Sequence, residues 1–192
     1  MNLLQSVSPV TLSFSPSVKA AASALYEHSL QYADVSKGST TLAIHMRFGD
    51  VSSRAPTPLL WKKWSTLAHG DAKVAFVGTD ANQREREEIK KVFPSALIGC
   101  PLDVIPQCGG TMVFAIEQTA MSMYTYFGGF WPSSYSANVA THRLLLGHSI
   151  YSMMAFGDQP VAMVDLKPFQ RMDTGFGILT APLTHWQYQE GI

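Results

Sequence analysis

The chain has 192 residues with 14 Lys+Arg against 14 Asp+Glu, enough for one domain with a real core and too few for two comfortable ones. Its formal net charge of zero argues against a broad nucleic-acid or polyanionic-membrane surface, while leaving room for one focused anion site. Charged residues make up only 15% of the chain, against about 25% in an ordinary soluble domain, which suggests that a partner domain or chain covers part of the surface. The two cysteines, Cys100 and Cys108, suit either a small loop disulfide or a pair of free thiols, and no Cys/His cluster is spaced to hold zinc. The opening "MNLLQSVSPV" lacks the charged start and long apolar run of a signal segment. No apolar run nears the roughly 20 residues needed to span a bilayer.

Helices and strands are expected to alternate along the chain. "SPSVKAAASALYEHSLQ" reads as a helix with Ser15 as N-cap, Pro16 at its first position and Val18, Ala21, Ala22, Leu25 and Ser29 on one face. "TTLAIHM" reads as a strand, "TPLLWKKWSTLAHG" as a helix ending at Gly70, and "KVAFVG" as a strand. "DANQREREEIKKVF" reads as a helix capped by Asp80, with Glu87 and Lys91 as an i,i+4 pair, stopped by Pro94. "SALIG" is a candidate short strand, and 100–110 a Pro/Gly loop. In the helix "TMVFAIEQTAMSMY", Val113, Ile116, Ala120 and Met123 should face the core. The strand "TYFGGF", a helix from Ser133 or Ser134, and a possible last strand "PVAMVDL" follow. The pattern predicts an α/β fold, a Rossmann-like parallel sheet with helices on both faces, spanning 1–192 as one domain.

In such a sheet ligands bind beyond the carboxyl ends of the strands, and three polar clusters fall there: "HMRFGD", "GTD" (Gly78 to Asp80) and "GGFWPSSYS" (Gly128 to Ser136). Strand alternation puts Ala43, His45 and Arg47 on one face. Arg47 offers a planar fork suited to phosphate; its ordinary role would be an ion pair with Asp50. A histidine inside a strand, as His45 is, is more often a core group than a catalyst. Asp50, after Gly49, could stabilise a turn. Ser133, Ser134 and Tyr135 precede a helix whose free N–H groups favour an anion, and one serine would serve as N-cap; Tyr135 could stack on a ring or belong to the core. Thr79 and Asp80 form the third cluster, with Asp80 most simply a helix cap. Glu117 lies beside its helix's apolar face, half-buried near the site or at the solvent edge.

No GxGxxG follows the first strand, and no GxxxxGK[ST], GxSxG or DxD motif occurs, so a nicotinamide or flavin site, a P-loop, an α/β-hydrolase elbow and a metal-bound sugar nucleotide are not expected. Taken in order, "FSPSVKAAASAL", "LAIHMRFGD", "VAFVGTD" and "EQTAMSMYTYFGGFWPSSYSANVATHRL" resemble the GDP-fucose protein O-fucosyltransferases and the related α1,6-fucosyltransferases over about residues 12 to 147.

The resemblance implies the C-terminal, donor-binding half of a GT-B glycosyltransferase, with the N-terminal acceptor half absent from this chain and supplied by a partner domain or second chain. It implies that Arg47 holds the donor β-phosphate, that His45 lies near the guanosine, that Glu117 occupies an acidic position reading guanine, and that Ser133, Ser134 and Tyr135 hold the diphosphate at a helix start. Asp50, Thr79 and Asp80 match further motif positions. The activity implied is inverting, metal-independent transfer of fucose from GDP-fucose to a hydroxyl of a protein or glycan acceptor, without cofactor, in the secretory lumen. The alternative is a non-catalytic nucleotide-sugar-binding module, or a donor half that needs a partner.

Overall fold

The computed structural model describes residues 14–36, 38–49, 56–130, 133–149 and 152–156. Helix α1 runs Pro16–Tyr32, with the Ser15 side chain accepting from the Val18 N–H and with Val18, Ala21, Ala22, Leu25 and Ser29 as its buried face, as the spacing predicts. Strand β1, Thr41–Met46, is buried throughout. Helix α2, Pro58–His69, is capped by Thr57 and ends at Gly70, whose φ of 56° a side chain would disfavour. Strand β2 is Lys73–Thr79. Helix α3, Gln83–Val92, starts later than expected. Its cap is Asn82 rather than Asp80, in a capping box with Glu85, because the Asp80 carboxylate is engaged elsewhere. The expected Glu87–Lys91 pair is replaced by Lys91 with Glu88 at 2.7 Å and Gln83 with Glu87 at 3.2 Å.

Strand β3 is the short Leu97–Ile98. A disulfide-closed loop and two 3-10 turns, Pro106–Cys108 and Gly110–Met112, lead to α4, Val113–Met121. Ile116 and Ala120 are buried as expected, but Met123 lies past the end of the helix. Strand β4 is Tyr126–Phe130, α5 is Ser134–Leu145 and β5 is Met153–Phe156. The expected strand "PVAMVDL" lies outside the described residues. Segment "MMAF" holds no β-branched residue and gives little strand signal by propensity.

All strand pairs are parallel, in the order β3-β2-β1-β4-β5. The fold is therefore α/β with a Rossmann-like sheet. Leu42, Ile44 and Met46 pack with Trp61 and Trp64 of α2 and Ile89 of α3 on one face. Ala43 packs on the other with Val18 and Leu25 of α1, Ile116 of α4 and Val139 of α5. Right-handed crossovers explain this division. The chain steps one way from β1 to β3 and back through β4 to β5, so its helices change face. The strand order reverses between β1 and β4, and the crevice above their carboxyl ends is where a ligand site is expected.

Two features fix the frame around that crevice. A Cβ on Gly129 would lie 2.7 Å from Ser136 Cβ, so glycine lets the first turn of α5 lie directly on β4. At the opposite end of α5 the fully buried Arg143 donates to the carbonyls of Ser122, Tyr124 and Thr125 and to the Ser152 hydroxyl. Its fork satisfies chain ends entering β4 and β5 that would otherwise carry orphan acceptors.

Candidate functional site: the crevice between the first and fourth strands

Arg47 leaves β1 on the same face as Ala43 and His45. Its guanidinium meets the Asp80 carboxylate at 2.8 Å, with the two side chains 37% and 27% exposed. The other Asp80 oxygen accepts the Phe48 N–H at 2.7 Å. Asp80 thus clamps the turn after β1 to the end of β2, and this is why it does not cap α3. A Cβ on Gly49 would come within 2.5 Å of the Asp80 carboxylate, so the HMRFGD glycine makes room for the clamp. Asp50 lies outside the described residues, and the Arg47 ion pair seen among the described residues is with Asp80. Thr79 Oγ1 accepts the Ala81 N–H at 3.1 Å, which shapes the same turn.

The second group of residues surrounds His45. The β1–β4 ladder ends at Ile44 and Gly128, and beyond it the Ser136 hydroxyl takes over. Ser136 Oγ accepts the Phe130 N–H at 2.9 Å and lies 2.7 Å from His45 Nδ1. The Tyr135 ring stacks on the imidazole at 4.2 Å between centroids. Burial, helped by the nearby Arg47 charge, lowers the His45 pKa to about 3. The ring is neutral, and the Ser136 hydroxyl can donate its own proton to Nδ1.

Glu117 completes this group. It is buried, not at the solvent edge. One carboxylate oxygen accepts the Cys100 N–H at 3.0 Å and the other accepts the Tyr135 hydroxyl at 3.2 Å. Burial raises its pKa to about 7, against the pull of those two donors. The same burial, with the Glu117 charge beside it, raises the Tyr135 phenol well above its ordinary value. Phe114 stands edge-on to Tyr135 at 6.3 Å.

Ser133 occupies the N-cap position of α5, but its side chain makes no capping bond. Ser134 is exposed. The first turn of α5 therefore brings amide donors and the positive end of its dipole to the carboxyl edge of the sheet. His45, Tyr135 and Glu117 are in contact as one cluster, Arg47, Asp80 and Thr79 form the adjoining one, and Ser133 and Ser134 border the first. Sequence reasoning did not single out Ser136, although it lies in the quoted serine run and in phase with the buried Val139 and Arg143. It also missed Arg86, which donates to the Ala81, Ile98 and Thr79 carbonyls and binds the ends of β2 and β3 together.

These features define a parallel α/β protein with two adjoining polar clusters, bordered by serines, at its topological switch point. No protein-family model matches the chain, and no curated protein matches it. Among the described residues no helix is long and apolar enough to cross a membrane.

Proposed function

We propose that the crevice binds the diphosphate of a nucleoside-diphosphate sugar, with GDP-fucose as the donor, and that the chain acts as the donor-binding half of a fucosyltransferase-like enzyme. The observation that carries this reading is the placement of Arg47 and the uncapped first turn of α5 on the two strands that flank the switch point. In the reaction the acceptor hydroxyl oxygen bonds to the anomeric carbon from the face opposite the diphosphate. The C–O bond to the β-phosphate breaks, its electron pair leaves with GDP, and the acceptor proton passes to a base. Arg47 and the α5 amides stabilise the charge that grows on the departing diphosphate, with no metal called upon. In this scheme Glu117 holds Tyr135 in place at the base side of the crevice.

A second reading is nucleotide-sugar binding without turnover. The transfer scheme names no base among the described residues, and His45, with a pKa of about 3 and its Nδ1 held by Ser136, does not supply one. Calorimetry with GDP, UDP and ADP, followed by assay of GDP release from GDP-fucose with and without protein and glycan acceptors, separates the readings. Selective GDP binding with acceptor-stimulated release supports transfer. Binding without release supports the second reading, and failure to bind any nucleoside diphosphate refutes both.

A further inference from the structure

The connection from β3 to α4 is closed by a covalent bond. Cys100 and Cys108 are disulfide-linked, with Cα atoms 5.9 Å apart. Cys100 follows Gly99, whose N–H is bonded to the Val77 carbonyl at 2.8 Å, so it sits where the chain leaves the sheet. Cys108 closes the first 3-10 turn and is buried in the core that α1 and α4 share. The bridge therefore ties the start of this connection to the part that leads into α4, and Glu117 lies about one turn into that helix.

The Cys100 N–H is one of the two donors to Glu117, and Tyr135 is the other. Tyr135 in turn stacks on His45, which shares a face of the sheet with Arg47. An unbroken series of contacts thus runs from the disulfide through a backbone amide, a carboxyl group, a phenol and an imidazole to the strand that carries the anion-binding arginine. Beyond Cys100 the Pro101 carbonyl accepts the Ile105 N–H at 2.9 Å, and the disulfide is the one covalent tie across this turn among the described residues.

We propose that the Cys100–Cys108 disulfide is a redox-sensitive positioning element for the anion crevice: intact, it holds the Cys100 amide against Glu117 and so fixes Tyr135 at the head of α5, and its reduction weakens nucleoside-diphosphate binding. This rests on the binding reading given above. Reduction by a dithiol transfers two electrons and two protons to the bridge, leaving two cysteine thiols and the cyclic disulfide of the reagent. The loop keeps Ile105 as a buried anchor, so reduction loosens the Cys100 amide without unfolding the domain. Glu117 then loses one of its two fixed donors, and Tyr135 loses a fixed acceptor.

The test uses the full chain, oxidised or reduced with dithiothreitol, together with a Cys100→Ser/Cys108→Ser double variant and Glu117→Ala. GDP affinity is measured by calorimetry. Hydrogen exchange at the Cys100 amide and the ring resonances of Tyr135 are followed without ligand. Reduction is expected to weaken GDP binding three- to tenfold, to speed Cys100 exchange at least tenfold and to shift the Tyr135 resonances. Glu117→Ala should bind GDP weakly in both redox states, since its link to the bridge is already cut. Equal GDP affinity in the oxidised and reduced chain would overturn the proposal. If the oxidised chain binds no nucleoside diphosphate, the binding reading fails and the affinity claim with it. Unchanged Cys100 exchange and Tyr135 resonances on reduction would separately refute the positioning claim. Should the double variant fail to fold, the reduced wild-type chain gives the same readouts.

Discussion

Arg47 and Asp80 meet at 2.8 Å across the ends of β1 and β2, and the same carboxylate holds the Phe48 amide at 2.7 Å. The pair is partly exposed, so its worth to folding is about 0–1 kcal/mol. On the proposed reading its effect on anion binding should be larger, because the carboxylate both orients the guanidinium and competes for it. Arg47→Ala should leave the melting temperature almost unchanged and weaken GDP binding at least tenfold, in line with about 1.5–3 kcal/mol for a charge-assisted hydrogen bond. Asp80→Asn retains an acceptor for Phe48 and removes the competing charge, and should tighten GDP binding two- to fivefold. Calorimetry and thermal melts on both variants check this. An Arg47→Ala chain that binds GDP as wild type does would remove Arg47 from the site.

Stability should depend on pH through two buried groups of opposite sign. The Glu117 pKa is raised from 4.5 to about 7, so between those values the folded state keeps a proton that the unfolded state has lost. Its contribution is full below pH 4.5 and is lost as pH rises towards 7, by up to about 1.4 kcal/mol per pH unit. The His45 pKa is lowered from 6.5 to about 3, so its contribution is full above pH 6.5 and is lost as pH falls towards 3. His69, lowered to about 4, acts in the same sense as His45. Between pH 4.5 and 6.5 the Glu117 effect opposes that of the two histidines and offsets part of it. Glu117→Gln should therefore steepen the rise of stability with pH across that window, read from urea midpoints between pH 4.5 and 6.5. A variant that runs parallel to wild type would show that Glu117 does not titrate as described.

Ser136 serves two partners at once. Ser136→Ala leaves the Phe130 N–H and His45 Nδ1 without their acceptor and donor, at a cost of about 1–3 kcal/mol for each buried group. Urea denaturation should show a loss of about 2–4 kcal/mol. A loss under 1 kcal/mol would mean that water replaces the hydroxyl.

Two glycines at the carboxyl edge should differ in their tolerance of a methyl group. The Cβ of Gly78→Ala would collide with Met121 Cε at 1.9 Å, whereas that of Gly129→Ala meets Ser136 Cβ at 2.7 Å. A methionine tip can swing aside, while Ser136 is fixed by its helix and its two bonds. Gly129→Ala should cost about 2–3 kcal/mol as overpacking, and Gly78→Ala clearly less. The order of the two melting temperatures is the test, and the reverse order would contradict the close contact of α5 with β4.

Arg143→Lys keeps the charge but loses the fork that reaches three carbonyls and the Ser152 hydroxyl. A loss of about 3 kcal/mol or more is expected from the acceptors left unpaired. A variant as stable as wild type in urea would show that an ammonium group can serve them all.

The local grammar of the chain was legible. Ser15 with Pro16, the end of α2 at Gly70, and the apolar faces of α1 and β1 follow from capping and periodicity alone, and the parallel α/β class follows from their alternation. Contacts between distant segments were not. Asp80 has the form of a helix cap, and only the arrival of the Phe48 amide and Arg47 from another strand turns it away from α3. Glu117 has the pattern of an edge residue until the Cys100 amide and Tyr135 close over it. Ser136 was hidden for another reason: it shares the buried face of α5 with Arg143, and a charged residue on that face disguises the periodicity.

The central place of β1 also makes it the meeting point of contacts of very different span. Phe48 and Asp80 are 32 positions apart in the chain, Thr41 and Thr125 are 84 apart, and His45 and Ser136 are 91 apart. Closing the longer span costs about 1 kcal/mol more in chain entropy than closing the shorter. The arginine side of the crevice needs only β1 and β2, whereas the serine side needs the fourth strand and the helix after it. A chain halted before α5 would hold a positioned Arg47 with nothing opposite it, so ligand binding would report that the last helix has docked.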